Sequence, residues 1–117
     1  MPADTAHLLR GTLHALVLRI LERETLHGYA IARRLEKESQ GVLGVEDGAL
    51  YQALHRMQEK GWLASHWARA ESGKRARFYS ITPSGRRQLV VETDAWVRYT
   101  EAVLRVLKRD GLQPRSP

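Results

Sequence analysis

The 117-residue sequence predicts a mainly α fold that carries a small β-hairpin and ends in one long helix. Three observations predict it. Apolar residues recur at helical spacing along most of the chain, a period-two alternation opens after Gly61, and Thr82-Pro83 starts a run of three- and four-residue steps that continues to Leu107. In residues 46–85 an amphipathic helix feeds directly into a hairpin whose tip carries Ser72, Gly73, Lys74 and Arg75. That order outlines a winged helix-turn-helix over residues 8–81, followed by a C-terminal helix over 82–108.

Each element has its own justification. Leu9, Leu13, Leu16, Val17, Ile20 and Leu21 form the core-facing row of a first helix that nothing interrupts before Thr25. The run Leu26-His27-Gly28-Tyr29 breaks it, and Ile31 and Leu35 among Arg33, Arg34, Glu36, Lys37 and Glu38 make a shorter second helix, ended by Gly41 and Gly44. Residues 41–45 form a short apolar connection, and Glu46 and Asp47 put carboxylates at the positive end of a third helix. In that helix Leu50, Leu54 and Met57 share one face, while Tyr51, Gln52, His55, Arg56 and Glu59 stay largely off it. Gly61 stops the helix where a left-handed backbone is cheap, and strands follow over 62–69 and 75–81.

Thr82 then reads as an N-cap with proline at the first helical position. Leu89, Thr93, Trp96, Thr100, Val103 and Leu107 make a heptad seam, with Val90, Val97 and Leu104 as a second row beside it. A helix from 83 to 108 would be roughly 39 Å long, more than a compact domain of this size can cover. One stripe is expected to pack on the first helix and the seam to join a second copy of the chain in a homodimer. Residues 1–7 and 109–117 are expected to be flexible.

Composition narrows the function. Apolar residues at 43% and charged ones at 27% are ordinary for a globular domain. The absence of cysteine removes disulfides, thiolate metal sites and cysteine nucleophiles. No apolar run is long enough to span a membrane and the N-terminus lacks a signal-peptide pattern, so a cytoplasmic protein is expected. No His-x-x-x-His pair, Gly-x-Ser-x-Gly elbow or phosphate-cradling glycine loop appears, and the five histidines fall on separate elements. Neither an enzyme, nor a bound metal, nor a cofactor is expected.

The net charge of +6 favours a polyanionic partner, and its placement is more telling. From residue 69 to 87, Arg69, Lys74, Arg75, Arg77, Arg86 and Arg87 face only Glu71. Charged edge strands also guard against aggregation, but a helix next to a basic hairpin suits double-stranded DNA. On the third helix Gln52 can bond adenine and Arg56 guanine at two points each, and His55 stands beside them. Tyr29 and Tyr51 offer phenols to phosphate oxygens, and Lys74 and Arg75 reach the backbone or a narrow minor groove. Arg77 is expected either there or along its strand. A winged helix that binds protein or RNA instead would share this architecture.

These pieces resemble the PadR family of transcriptional regulators. The resemblance is carried by His27-Gly28-Tyr29, by Gly48-Ala49-Leu50-Tyr51, by residues 54–62 reading LHRMQEKGW and by residues 75–85 reading RARFYSITPSG. A single C-terminal helix resembles the family's short branch. The resemblance implies a dimeric repressor on a pseudo-palindromic operator, with Tyr51 on phosphate. It also implies that Trp96 and its symmetry mate could clasp a flat aromatic effector, although a tryptophan in such a seam also serves as plain packing. Ala49 stands where Ser or Thr is common in the family and Gln52 where proline is frequent, so base preference is expected to differ.

Overall fold

The computed structural model describes residues 6–108, which form α1 (Ala6–Leu21), β1 (Leu26–His27), α2 (Gly28–Glu38), α3 (Asp47–Glu59), β2 (Leu63–Arg69), β3 (Arg75–Ile81) and α4 (Pro83–Leu107). Residues 109–117, expected to be flexible, lie outside the described residues, as do residues 1–5; α1 already begins at Ala6, within the stretch expected to fray.

Helix α1 is the hub. Leu9, Leu13, Val17, Ile20 and Leu21 are buried as their spacing predicts. Leu18 is buried as well and Leu16 only partly, because α2, α3, β3 and α4 all pack on α1 and cover more than one stripe. The core is completed by Ile31 and Leu35 of α2, Leu50, Ala53, Leu54 and Met57 of α3, Leu63 and Tyr79 of the sheet, and Leu89 of α4. Each fully buried leucine contributes roughly 1.5–3 kcal/mol through the water it leaves.

Helix α1 ends at Leu21, earlier than Thr25, and Gly28 is the first residue of α2. His27 caps α2, its Nδ1 accepting the Ala30 N–H at 3.3 Å. At the other end α2 stops at Glu38, well before Gly44. The Gly41 N–H donates to the Glu36 carbonyl at 2.8 Å and the Gln40 N–H to Lys37 at 3.1 Å, with Gln40 at φ 55° and Gly41 at φ 85°. This is a Schellman stop with a non-glycine residue in its left-handed position. Gln40→Gly is therefore expected to raise stability by about 0.5–1 kcal/mol, read as a later urea midpoint at unchanged slope. An unchanged midpoint would mean that the turn is not strained.

The α3 stop matches its sequence signal: Gly61 has φ 81° and the Trp62 N–H reaches the Met57 carbonyl at 2.9 Å. Because that N–H serves the cap, β2 begins one residue later than predicted, at Leu63. Trp62 works in both directions, for its carbonyl accepts the Thr82 N–H at 3.0 Å. Thr82 caps α4 as predicted: its hydroxyl accepts the Gly85 N–H at 3.0 Å and donates to the Gly61 carbonyl at 2.6 Å. One junction thus fixes the end of α3, the base of the hairpin and the start of α4.

Strands β2 and β3 pair antiparallel from Leu63↔Ile81 to Arg69↔Arg75. The sheet has a third strand that the sequence did not betray. Leu26 and His27 pair with Tyr79 and Phe78, giving the order β1-β3-β2, and two residues are too few to show an alternation.

Helix α4 corrects the predicted seam. Leu89 is buried in the protomer's own core, and Trp96 is half-buried with its indole over Gly11 of α1, so the first half of that seam is closed internally. Further along, Thr100 and Leu107 are exposed and Val103 half-buried. The second row, Val90, Val97 and Leu104, lies open together with Val91, Tyr99 and Val106. Heptad spacing told which residues share a face but not which neighbour covers it.

Candidate nucleic-acid interface

The exposed first turn of α3 carries the Asp47 carboxylate, followed by two small residues. Gly48 and Ala49 are exposed, and nothing lies within 4 Å of where a Cβ at Gly48 would stand, so the helix is slim at these two positions, as close approach to a groove wall requires. One turn on, Tyr51, Gln52, His55 and Arg56 line a shallow depression of about 330 Å³. Four predicted DNA-contacting residues therefore meet on one patch, held out by the burial of Leu50, Ala53, Leu54 and Met57 behind them.

Tyr51 is held from outside its own helix. A Cβ added at Gly28 would come within 3.0–3.2 Å of the Tyr51 ring and hydroxyl, so glycine there lets the phenol lie across the start of α2. The ring remains half exposed at the positive end of that helix, where an anion is favoured. Tyr29 is exposed on the next position; its hydroxyl accepts an Arg33 N–H at 2.9 Å, and the guanidinium lies 5.7 Å from its ring centre. Tyr29 and Lys74 face an open groove of about 1490 Å³ between α2 and the hairpin, separate from the α3 depression.

His55 pairs with Glu59 at 3.4 Å on an exposed helix face, an arrangement that leaves it free to exchange partners. Arg56 is exposed, and its charge is felt across to α1. Its charge and that of Lys60 disfavour protonation of His14, whose pKa is lowered first by burial, while Glu92 acts in the opposite sense. The His14 ring also meets the Trp62 edge at 5.9 Å. The folded state therefore prefers neutral His14, and as pH falls below its ordinary 6.5 the unfolded chain takes up the proton first. Stability is expected to drop in that window and to drop less in His14→Gln, measured by urea unfolding at about pH 7.5 and about pH 5.5.

On the hairpin Lys74 is exposed at the tip, which is closed by Ala70–Lys74 and Gly73–Ala70 backbone bonds of 2.9 Å each and by Arg69 donating to the Gly73 carbonyl at 2.6 Å. Arg77 lies along the sheet, the second of its two expected positions, with its Nε–H donating to Ser65 Oγ at 2.9 Å. Ser65 Oγ–H donates in turn to Gln58 Oε1 of α3 at 3.1 Å. The guanidiniums of Arg75 and Arg77 sit 5.4 and 6.0 Å from the ring centre of Trp67. Ser65, Trp67 and Gln58 were missed by sequence reasoning. The one available signal was the hairpin register, which sets Trp67 directly across from Arg77.

Three helices around a hydrophobic core, a helix with an open polar face and a basic hairpin beside it define a winged helix-turn-helix protein. The family model described as the PadR-like transcriptional regulator family matches residues 17–91, and the chain belongs to that family. A PadR family regulator from Eggerthella lenta is 32% identical and superposes with a TM-score of 0.75, covering 91% of this chain and 90% of its own. A PadR-like regulator from Bacillus cereus is 26% identical at a TM-score of 0.75, over 88% and 98% of the two chains. A transcriptional regulator from Clostridium thermocellum shares the fold at 22% identity, with a TM-score of 0.76 over 84% and 95%. The protein is accordingly a DNA-binding transcriptional regulator and not an enzyme. No helix among the described residues is long and apolar enough to cross a membrane.

Proposed function

We propose that the protein is a homodimeric repressor that grips a pseudo-palindromic operator with α3 in the major groove and the hairpin on the flanking backbone. The observation that carries this reading is the convergence of Tyr51, Gln52, His55 and Arg56 on one exposed patch, with Lys74, Arg75 and Arg77 on the adjoining hairpin. Gln52 and Arg56 are the base readers, His55 assists, and Tyr29 and Tyr51 take phosphates. A second copy covers the open rows of α4, where Val90, Val97 and Leu107 are 69%, 49% and 73% exposed. Such an apolar stripe on a helix is the signature of a partner helix. Trp96 meets Tyr99 edge-on at 5.5 Å next to that seam, and an aromatic effector that releases DNA would enter there.

Selection from a random duplex library tests the reading. The wild type should enrich a twofold-symmetric site, and Gln52→Ala should lose base preference at one symmetric pair of positions while keeping the rest. Enrichment of no symmetric site would refute the operator, and an unaltered site in Gln52→Ala would remove Gln52 from the readers.

A further inference from the structure

Trp67 is 57% exposed near the outer end of β2, so packing of its own side chain does not account for it. What it supports is charge. Arg77 stands opposite it in the ladder and Arg75 two residues earlier on the same strand, and both guanidiniums lie over the indole at cation–π distance. Neither forms an ion pair with a carboxylate among the described residues. Two like charges are thus held side by side, an arrangement that repels itself until an anion arrives.

The platform is tied to α3. Alternation along the strands puts Ser65, Trp67, Arg75 and Arg77 on one side of the sheet, and Gln58 of α3 reaches that side through Ser65. An arginine free in solvent loses much rotamer freedom on gripping a phosphate; one already stacked and hydrogen-bonded loses less. We propose that Trp67 is a positioning residue: its indole presents Arg75 and Arg77 as a preformed phosphate clamp, and the Gln58–Ser65–Arg77 chain fixes that clamp's spacing from the recognition helix. This rests on the DNA reading above.

The test titrates a fluorescein-labelled mixed-sequence duplex at several salt concentrations, since phosphate contacts do not need the operator. Trp67→Ala is expected to bind about three- to tenfold more weakly, with the salt slope of the wild type because no charge is lost. Trp67→Phe, which keeps a ring, should recover most of the loss, whereas Arg77→Gln should lower the slope by about one. In the free wild type, side-chain proton resonances of Arg75 and Arg77 should be shifted upfield by the indole, and the shift should vanish in Trp67→Ala at unchanged melting temperature. Wild-type affinity in Trp67→Ala, no recovery in Trp67→Phe, or absence of the ring-current shift would each overturn the proposal. A wild type that binds no duplex at all would instead overturn the DNA reading, and that is seen before any variant is made.

Discussion

Gly85→Ala is expected to destabilise the protein by about 2–4 kcal/mol, because Gly85 is the most tightly enclosed glycine among the described residues. A Cβ at this position runs into the backbone carbonyl of Trp62 and within 2.8 Å of Ile81 Cγ1. Neither neighbour can yield cheaply. The Trp62 carbonyl is bonded to the Thr82 N–H, and the Trp62 N–H closes the end of α3, so moving the Trp62 backbone strains both junctions at once. Backing α4 away instead would lift Leu89 out of the core, where it is only 3% exposed. Arg86→Ala, on an exposed position of the same turn, is the control and should fall within about 0.5 kcal/mol of the wild type. Equal urea midpoints for Gly85→Ala and Arg86→Ala would show that α4 does not dock as described.

Replacing both Lys74 and Arg75 by alanine should weaken binding to duplexes of any sequence by roughly ten- to a hundredfold near physiological salt, and lower the salt slope by about two. Both side chains are exposed, so the melting temperature should not change. The combination separates a phosphate contact from the rival role of solvating an edge strand. A merely solvating pair would leave affinity and slope intact and would show itself in aggregation instead. The variant's ranking of operator bases should match the wild type, because backbone contacts position without specifying.

Which side chains α3 and the hairpin expose was legible because that depends on local chemistry. The period of Leu50, Leu54 and Met57 fixed which way Gln52 and Arg56 face, and Gly61 and Thr82-Pro83 marked the ends of the elements on either side of the hairpin. What escaped depended on contacts between distant segments. β1 exists only because Tyr79 and Phe78 pair with Leu26 and His27, and nothing in two residues announces it. Leu89 and Trp96 carry the right spacing for a seam, yet Leu89 lies in the protomer's own core and one side of Trp96 lies over Gly11 of α1, since spacing identifies a face and not its occupant. The need for Gly28 is equally nonlocal: it is set by the Tyr51 ring one helix away. Ala49 and Gln52, where the resemblance implied a departure from the family, both lie on the exposed side of α3, where a substitution costs the core nothing.

The central claim, that α3 and the hairpin of a dimer read one duplex, is tested most directly by footprinting the DNA beside the protein's own gene at physiological salt. The expected result is protection of two patches related by a twofold axis, with centres about one helical turn, roughly 34 Å, or a multiple of it apart. Protection no stronger than on mixed-sequence DNA, or a preference for RNA of the same sequence, would contradict it.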